Sequence, residues 1–127
     1  MTENEIAKIV VDAAFKIHTK LGPGLLESAY QAILAYELRK RGLAIQTETM
    51  MPVNYDGITI DLGYRTDIIV EELVIIELKS VEKVSDVHKK QLLTYLKVSD
   101  KHLGLLINFG AATIKEGITR IVNRLPE

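Results

Sequence analysis

Apolar residues near the start of the chain recur at helical spacing: Ile6, Ile9, Val10, Ala13, Ala14 and Ile17 form the one-sided stripe of an amphipathic helix. Ahead of them, Thr2-Glu3-Asn4-Glu5 has the Thr-x-x-Glu form of a capping box, so a helix is predicted over roughly residues 3 to 20. Leu21-Gly22-Pro23-Gly24 breaks it. The stripe resumes with Leu26, Ala29, Tyr30, Ile33, Leu34 and Leu38, and Gly42 is placed to stop this second helix. From Ala44 to Tyr55 the pattern turns extended, and Asp56-Gly57 signals a hairpin. Ile58 to Leu62 returns, and Tyr64 to Val70 either continues that strand or bends away. Glu71-Glu72 is short enough for a second tight turn into a strand from Leu73 to Lys79. Ser85 is placed to cap a third helix from Asp86 to about Val98. His102 to Phe109 reads as another buried strand, and the helix before it makes a parallel crossover the expected pairing. Gly117 to Asn123 is the expected last, edge strand. The order is then α-α-β-β-β-α-β-β, one domain over residues 1–127, without repeats or a linker.

One segment departs from this pattern. Leu73-Val74-Ile75-Ile76 reads as a buried strand, yet it ends in Glu77-Leu78-Lys79, and buried strands do not normally end in an acid and a base. Alternation along the strand sends Glu77 and Lys79 to one face and Leu78 to the other. Turning back across Glu71-Glu72 brings Asp67 opposite Ile76 or Glu77. Two carboxylates and an ammonium then meet at one edge of a sheet, which is the chemistry of a divalent-metal site. Magnesium prefers a few carboxylates with several waters retained, and Asp67, Glu77 and the Leu78 backbone carbonyl can supply the donors. Lys79 is placed to orient an attacking water or to stabilise developing charge. Standing alone, Glu77-x-Lys79 is read as a structural ion pair; the apolar run before it and Asp67 opposite favour the metal site.

Composition narrows the chemistry. Hydrophobic residues make up 47% and charged residues 26%, ordinary for a globular protein. There is no cysteine, which excludes disulfides, thiolate zinc sites and iron–sulfur clusters. The three histidines are scattered, so a zinc site is not expected; His18 and His102 read as structural. No apolar run approaches membrane-spanning length and no signal sequence opens the chain, so a cytoplasmic location without membrane association is expected. The net charge of −1 shows no global basic excess, but Arg39-Lys40-Arg41 and the lysines at 79, 83, 89, 90, 97 and 101 are clustered. They form either solvated helix faces or a phosphate track. Leu21-Gly22-Pro23-Gly24 lacks the Lys-Ser/Thr of a P-loop and follows no strand, and no serine sits in a nucleophile-elbow context.

Asp67 followed by Glu77-x-Lys79 resembles the core motif of the PD-(D/E)XK nuclease superfamily. Gly24-Leu25-Leu26-Glu27-Ser28-Ala29-Tyr30 is similar to the signature of its GxxExxY branch, and Gln91-Leu92-Leu93-Thr94-Tyr95 to the Q-x-x-x-Y motif of RecB-type nucleases. The resemblance spans nearly the whole chain in the family's own motif order. One position departs, since Arg65-Thr66 stands where the superfamily name has a proline before the aspartate.

The resemblance implies a restriction-endonuclease-like three-layer α/β fold, a mixed central sheet flanked by helices. It implies hydrolysis of nucleic-acid phosphodiesters, with DNA the expected substrate, by a metal-activated water with Mg2+ or Mn2+ as cofactor. Asp67 and Glu77 would hold the metal, and Glu27 would face the site as a further ligand or through water. Gln91 and Tyr95 would position the water, Lys79 or the phosphate, with Tyr30 and His88 in support. Read from the residues alone, Glu27 is equally an acid favoured by a helix N-terminus, and Tyr30 a core ring. The alternative function is a catalytically silent nucleic-acid-binding or regulatory module on the same fold. A homodimer is expected, through the late edge strand or through the first helix around Val11 and Phe15.

Overall fold

The Thr2 hydroxyl accepts from the Glu5 amide at 3.2 Å, and the Glu5 carboxylate accepts from the Thr2 amide at 3.0 Å. This closes the capping box that opens α1 (Glu3–Leu21). The second apolar stripe forms α2 (Glu27–Lys40), and just beyond it Gly42 turns the chain out at φ 87°, a left-handed conformation that disfavours any Cβ. Ion pairs from Lys16 to Glu37 at 2.7 Å and from Arg41 to Asp12 at 2.6 Å tie α2 to α1. Arg41 of the basic cluster therefore holds helices together. The computed structural model describes residues 1–126, the side chain of Leu62 excepted.

Two hairpins follow. The strand left ambiguous by its pattern is continuous: β1 (Ile45–Tyr55) pairs antiparallel with β2 (Ile58–Val70), and a register shift between Met51 and Val53 absorbs Pro52. Asp56 and Gly57 at the first turn, and Glu71 and Glu72 at the second, all have positive φ. The first is a two-residue turn whose geometry matches strand twist. The second takes in Leu73 as well, which the sequence pattern places in the strand, since Val70 pairs with Val74. β2 then pairs antiparallel with β3 (Val74–Lys79), and α3 (Asp86–Ser99) crosses over to β4 (Leu103–Asn108), which is parallel to β3 as predicted. β5 (Ile118–Val122) closes the far edge, giving a mixed five-stranded sheet in the order β1-β2-β3-β4-β5.

The core divides by strand alternation. Val74, Ile76 and Leu78 of β3, with Leu103, Leu105 and Ile107 of β4, pack beneath α1 and α2. Ile75 and Leu106 point the other way, onto Leu92 and Leu96 of α3. The result is a three-layer α/β/α arrangement, the predicted class. Two expectations need correction. A short helix α4 (Ile114–Gly117) precedes β5 and was missing from the predicted order; a single turn carries too little periodicity to register, although Thr113 caps it and Ile114 is buried. Ser85 does precede α3 in the extended conformation of a cap residue, but its hydroxyl makes no capping bond and lies 3.4 Å from His88 Nδ1.

Candidate active site

Pairing between β2 and β3 ends at Ile68 and Ile76. One residue further, that register sets Asp67 against Glu77, the second of the two predicted partners. Asp67 there takes over from the backbone ladder, its Oδ2 accepting from the Leu78 amide at 2.8 Å. Amide and carbonyl of one strand residue point to the same side, so the Leu78 carbonyl also faces the opening between the strands. Since Leu78 joins the α1–α2 core, Glu77 and Lys79 face α3, as alternation requires.

Glu77 has the most perturbed carboxyl of the site. Burial, then the Asp67 charge and a hydrogen bond with Asp67, push it up to about 9 against the ordinary 4.5; Lys79 pulls it down by less. Its Oε1 is buried without a hydrogen-bond partner among the described residues. An orphaned carboxylate oxygen beside a second carboxylate is costly unless protonated or matched by a cation. These oxygen donors fit Mg2+ or Mn2+. Among the described residues no three His, Cys, Asp or Glu side chains gather tightly enough to hold an ion by themselves. The oxygen donors that could hold such an ion here are Asp67, Glu77 and the Leu78 carbonyl, with water making up the remainder.

Glu27 borders this pair. It is half-buried, and desolvation raises its carboxyl; Lys79 and His88 pull it down, while Asp67 raises it further. Its placement depends on the turn before α2. The Tyr30 hydroxyl donates to the Gly22 carbonyl and accepts from the Leu25 amide at 3.2 Å, while its ring stacks on Phe109 with centroids 4.5 Å apart. Ser80, next to Lys79, donates to the Leu25 carbonyl at 2.7 Å. The loop is thus held from below by Tyr30 and from the side by the end of β3, and Glu27 is brought to Lys79. Tyr30 is fully buried and contributes only through this loop.

From the opposite side α3 brings three polar residues. Tyr95 is half-buried, its phenol raised by desolvation and then by the charges of Glu77 and Asp67, with Gln91 beside it lowering it. Gln91 itself is exposed, and His88 is half-buried near Ser85. The structure therefore brings Glu27, Asp67, Glu77, Lys79, Gln91, Tyr95 and His88 to one end of the sheet, between the start of α2 and one edge of α3. His18 and His102 lie apart, bonded to the Ala111 and Asn123 carbonyls at 2.9 Å each.

Three contributors escaped sequence reasoning: Ser80, Tyr64 and Asn108. Asn108 is paired across from Lys79 and buried. Its amide donates to the Val81 carbonyl at 2.8 Å, and its Oδ1 accepts from the Val81 amide at 3.0 Å and the Gly110 amide at 3.0 Å. A Cβ on Gly110 would lie 2.3 Å from the Val81 oxygen, so only glycine permits this close approach. The segment leaving Lys79 is thereby fixed. A polar residue ending an apolar run was the signal that exposed Glu77, and it applies equally to Asn108. A family model described as the PD-(D/E)XK nuclease superfamily matches residues 4–121. No curated protein and no solved structure matches the chain.

Proposed function

The chain belongs to the PD-(D/E)XK nuclease superfamily, and from that premise we propose that it hydrolyses nucleic-acid phosphodiester bonds, in DNA rather than RNA, with Mg2+ or Mn2+ held by Asp67, Glu77 and the Leu78 carbonyl. The observation that carries this reading is the orphaned Oε1 of Glu77 beside Asp67, with Lys79 two residues on along the same strand face. When bound, the ion supplies charge neutralisation at the phosphate and acidifies water near neutral pH.

The chain's own residues do the rest. Lys79 presents a fixed cation to the charge that builds on the phosphate oxygens in the transition state, from a site whose partial burial strengthens it. Glu27, its carboxyl raised and next to Lys79, orients water and reaches any cation through it. Tyr95 and Gln91 offer a hydroxyl and an amide as donors to the phosphate, and His88 offers a further donor beside Glu27. Tyr30 positions Glu27 through the loop. We place the chain in the GxxExxY branch on Gly24, Glu27 and Tyr30, and assign it to the cytoplasm as a homodimer. No helix is long and apolar enough to cross a membrane among the described residues.

The direct test is Lys79→Ala, assayed on labelled DNA and RNA panels with Mg2+ and Mn2+. Turnover is expected to fall by about a hundredfold or more while the metal-induced rise in melting temperature persists, because lysine is no ligand. Cleavage at the parental rate by Lys79→Ala refutes its assignment; a parent that binds nucleic acid and metal but cleaves nothing makes the fold a binding module.

A further inference from the structure

Tyr64 belongs to none of the motifs, yet it lies on β2 three residues before Asp67. Its ring lies parallel to that of Tyr95, with centroids 3.8 Å apart and planes 6° apart. Its hydroxyl donates to the Tyr95 carbonyl at 2.9 Å, an acceptor shared with the Ser99 hydroxyl at 2.7 Å. One residue of α3 is therefore held twice, by ring and by backbone. Among the described residues, the apolar cluster under α3 draws on Ile75 of β3, Leu106 of β4 and Ile121 of β5. Tyr64 adds a direct contact between α3 and β2, the strand that carries Asp67.

We propose that Tyr64 is a positioning residue for phosphodiester hydrolysis: by stacking on Tyr95 and bonding its carbonyl, it holds the Tyr95 hydroxyl at the Asp67–Glu77 pair. A phenol has two rotatable bonds, and a ring packed against one face of it removes the rotamers that swing the hydroxyl outward. The advantage is preorganisation, since a donor already aimed at the reacting group need not be ordered in the transition state. Tyr64 itself touches no substrate. The inference rests on the reading of the site as a metal-dependent nuclease.

Two measurements separate this inference from that reading. In steady-state cleavage of DNA, Tyr64→Leu is expected to lower kcat about tenfold with KM changed less than about twofold, the pattern of a contact felt in the transition state. Tyr64→Phe keeps the stack and is expected to retain at least about a third of kcat. In a Tyr95→Phe background, Tyr64→Leu should cost almost nothing more, because both act through one hydroxyl. An equal loss in that background signals general structural damage and overturns the proposal. Should Tyr64→Leu not fold, Tyr64→Phe alone decides: kcat below about a tenth of the parent overturns the stacking role.

The second measurement needs no turnover. Tb3+ at the carboxylate pair, excited through tyrosine, reports how near a phenol ring stays. Tyr95→Phe is expected to lose more than about half of the sensitised emission, and Tyr64→Leu more than about half of what Tyr64→Phe keeps. Both variants at position 64 lack the second phenol, and only Tyr64→Leu also loses the stack that holds Tyr95 near the ion. Emission equal to that of Tyr64→Phe, with parental kcat, in Tyr64→Leu overturns the inference and leaves the nuclease reading intact. A parent showing the expected emission pattern but cleaving nothing supports the positioning of Tyr95 and refutes hydrolysis. A parent with neither emission nor cleavage refutes both.

Discussion

Replacing Glu77 by glutamine tests the electrostatics of the site at their strongest point. The shape is kept and only the ability to ionise is removed. In the folded chain the carboxyl is pushed up to about 9, against an ordinary 4.5. Between those values the folded state holds a proton that the unfolded state has released, so stability falls as pH rises. The contribution is fully present below about pH 4.5 and is lost by the time pH passes about 9. Each pH unit inside the window changes stability by at most about 1.4 kcal/mol, which bounds the whole effect at about 6 kcal/mol. Water entry and the coupling to Asp67 reduce this, and about half is the expected size. In a chain of this length that is a fall of roughly 10 °C in melting temperature between pH 5 and pH 9, absent from Glu77→Gln. The assay is thermal unfolding of both proteins at pH steps in metal-free buffer; their difference cancels the titrating groups that do not interact with Glu77, and leaves Glu77 together with its coupling to Asp67. Adding Mg2+ should raise the melting temperature of the parent only, with affinity increasing up to about tenfold per pH unit, since binding displaces the Glu77 proton. Parallel curves for the two proteins would show that Glu77 ionises normally, and the metal-site argument built on it would fall.

Tyr30→Phe should keep the stack on Phe109 but leave the Gly22 carbonyl and Leu25 amide without their partner, costing about 1–2 kcal/mol by calorimetry; turnover should fall further than stability explains, because Glu27 is released, and equal loss of both would make Tyr30 purely a core residue. Phe15 is 58% exposed on α1 with Val11 beside it, so Phe15→Glu should shift a concentration-dependent dimer toward monomer in light scattering. A parent that is monomeric at every concentration removes the dimer.

Legibility followed the range of the interactions. The capping box, the helical stripes and both tight turns depend on residues within a few positions of each other, and all were readable. The parallel crossover, which pairs Val74 with Leu103, was readable because a helix between two neighbouring strands returns the second in parallel. So was the clash between an apolar strand and its charged end, which exposed Glu77 and Lys79. The four-residue α4 was not, because a single turn is shorter than the period that would announce it. Ser85 was read by type alone, and its hydroxyl turned instead to His88.

By itself the sequence determined which residue types were available and which face of each element they occupied, since helix and strand periods follow from backbone geometry alone. It also excluded thiolate chemistry outright. Only the tertiary structure decided who meets whom across the chain. Asp67 came to oppose Glu77 rather than Ile76 through the register of one hairpin, and Glu27 reached Lys79 through Ser80 and Leu25, which are 55 residues apart. Tyr64 met Tyr95 across 31. The burial that raises Glu77 is likewise a property of the packed layers, because a carboxyl in the unfolded chain stays in water, where its charge is solvated and its pKa ordinary.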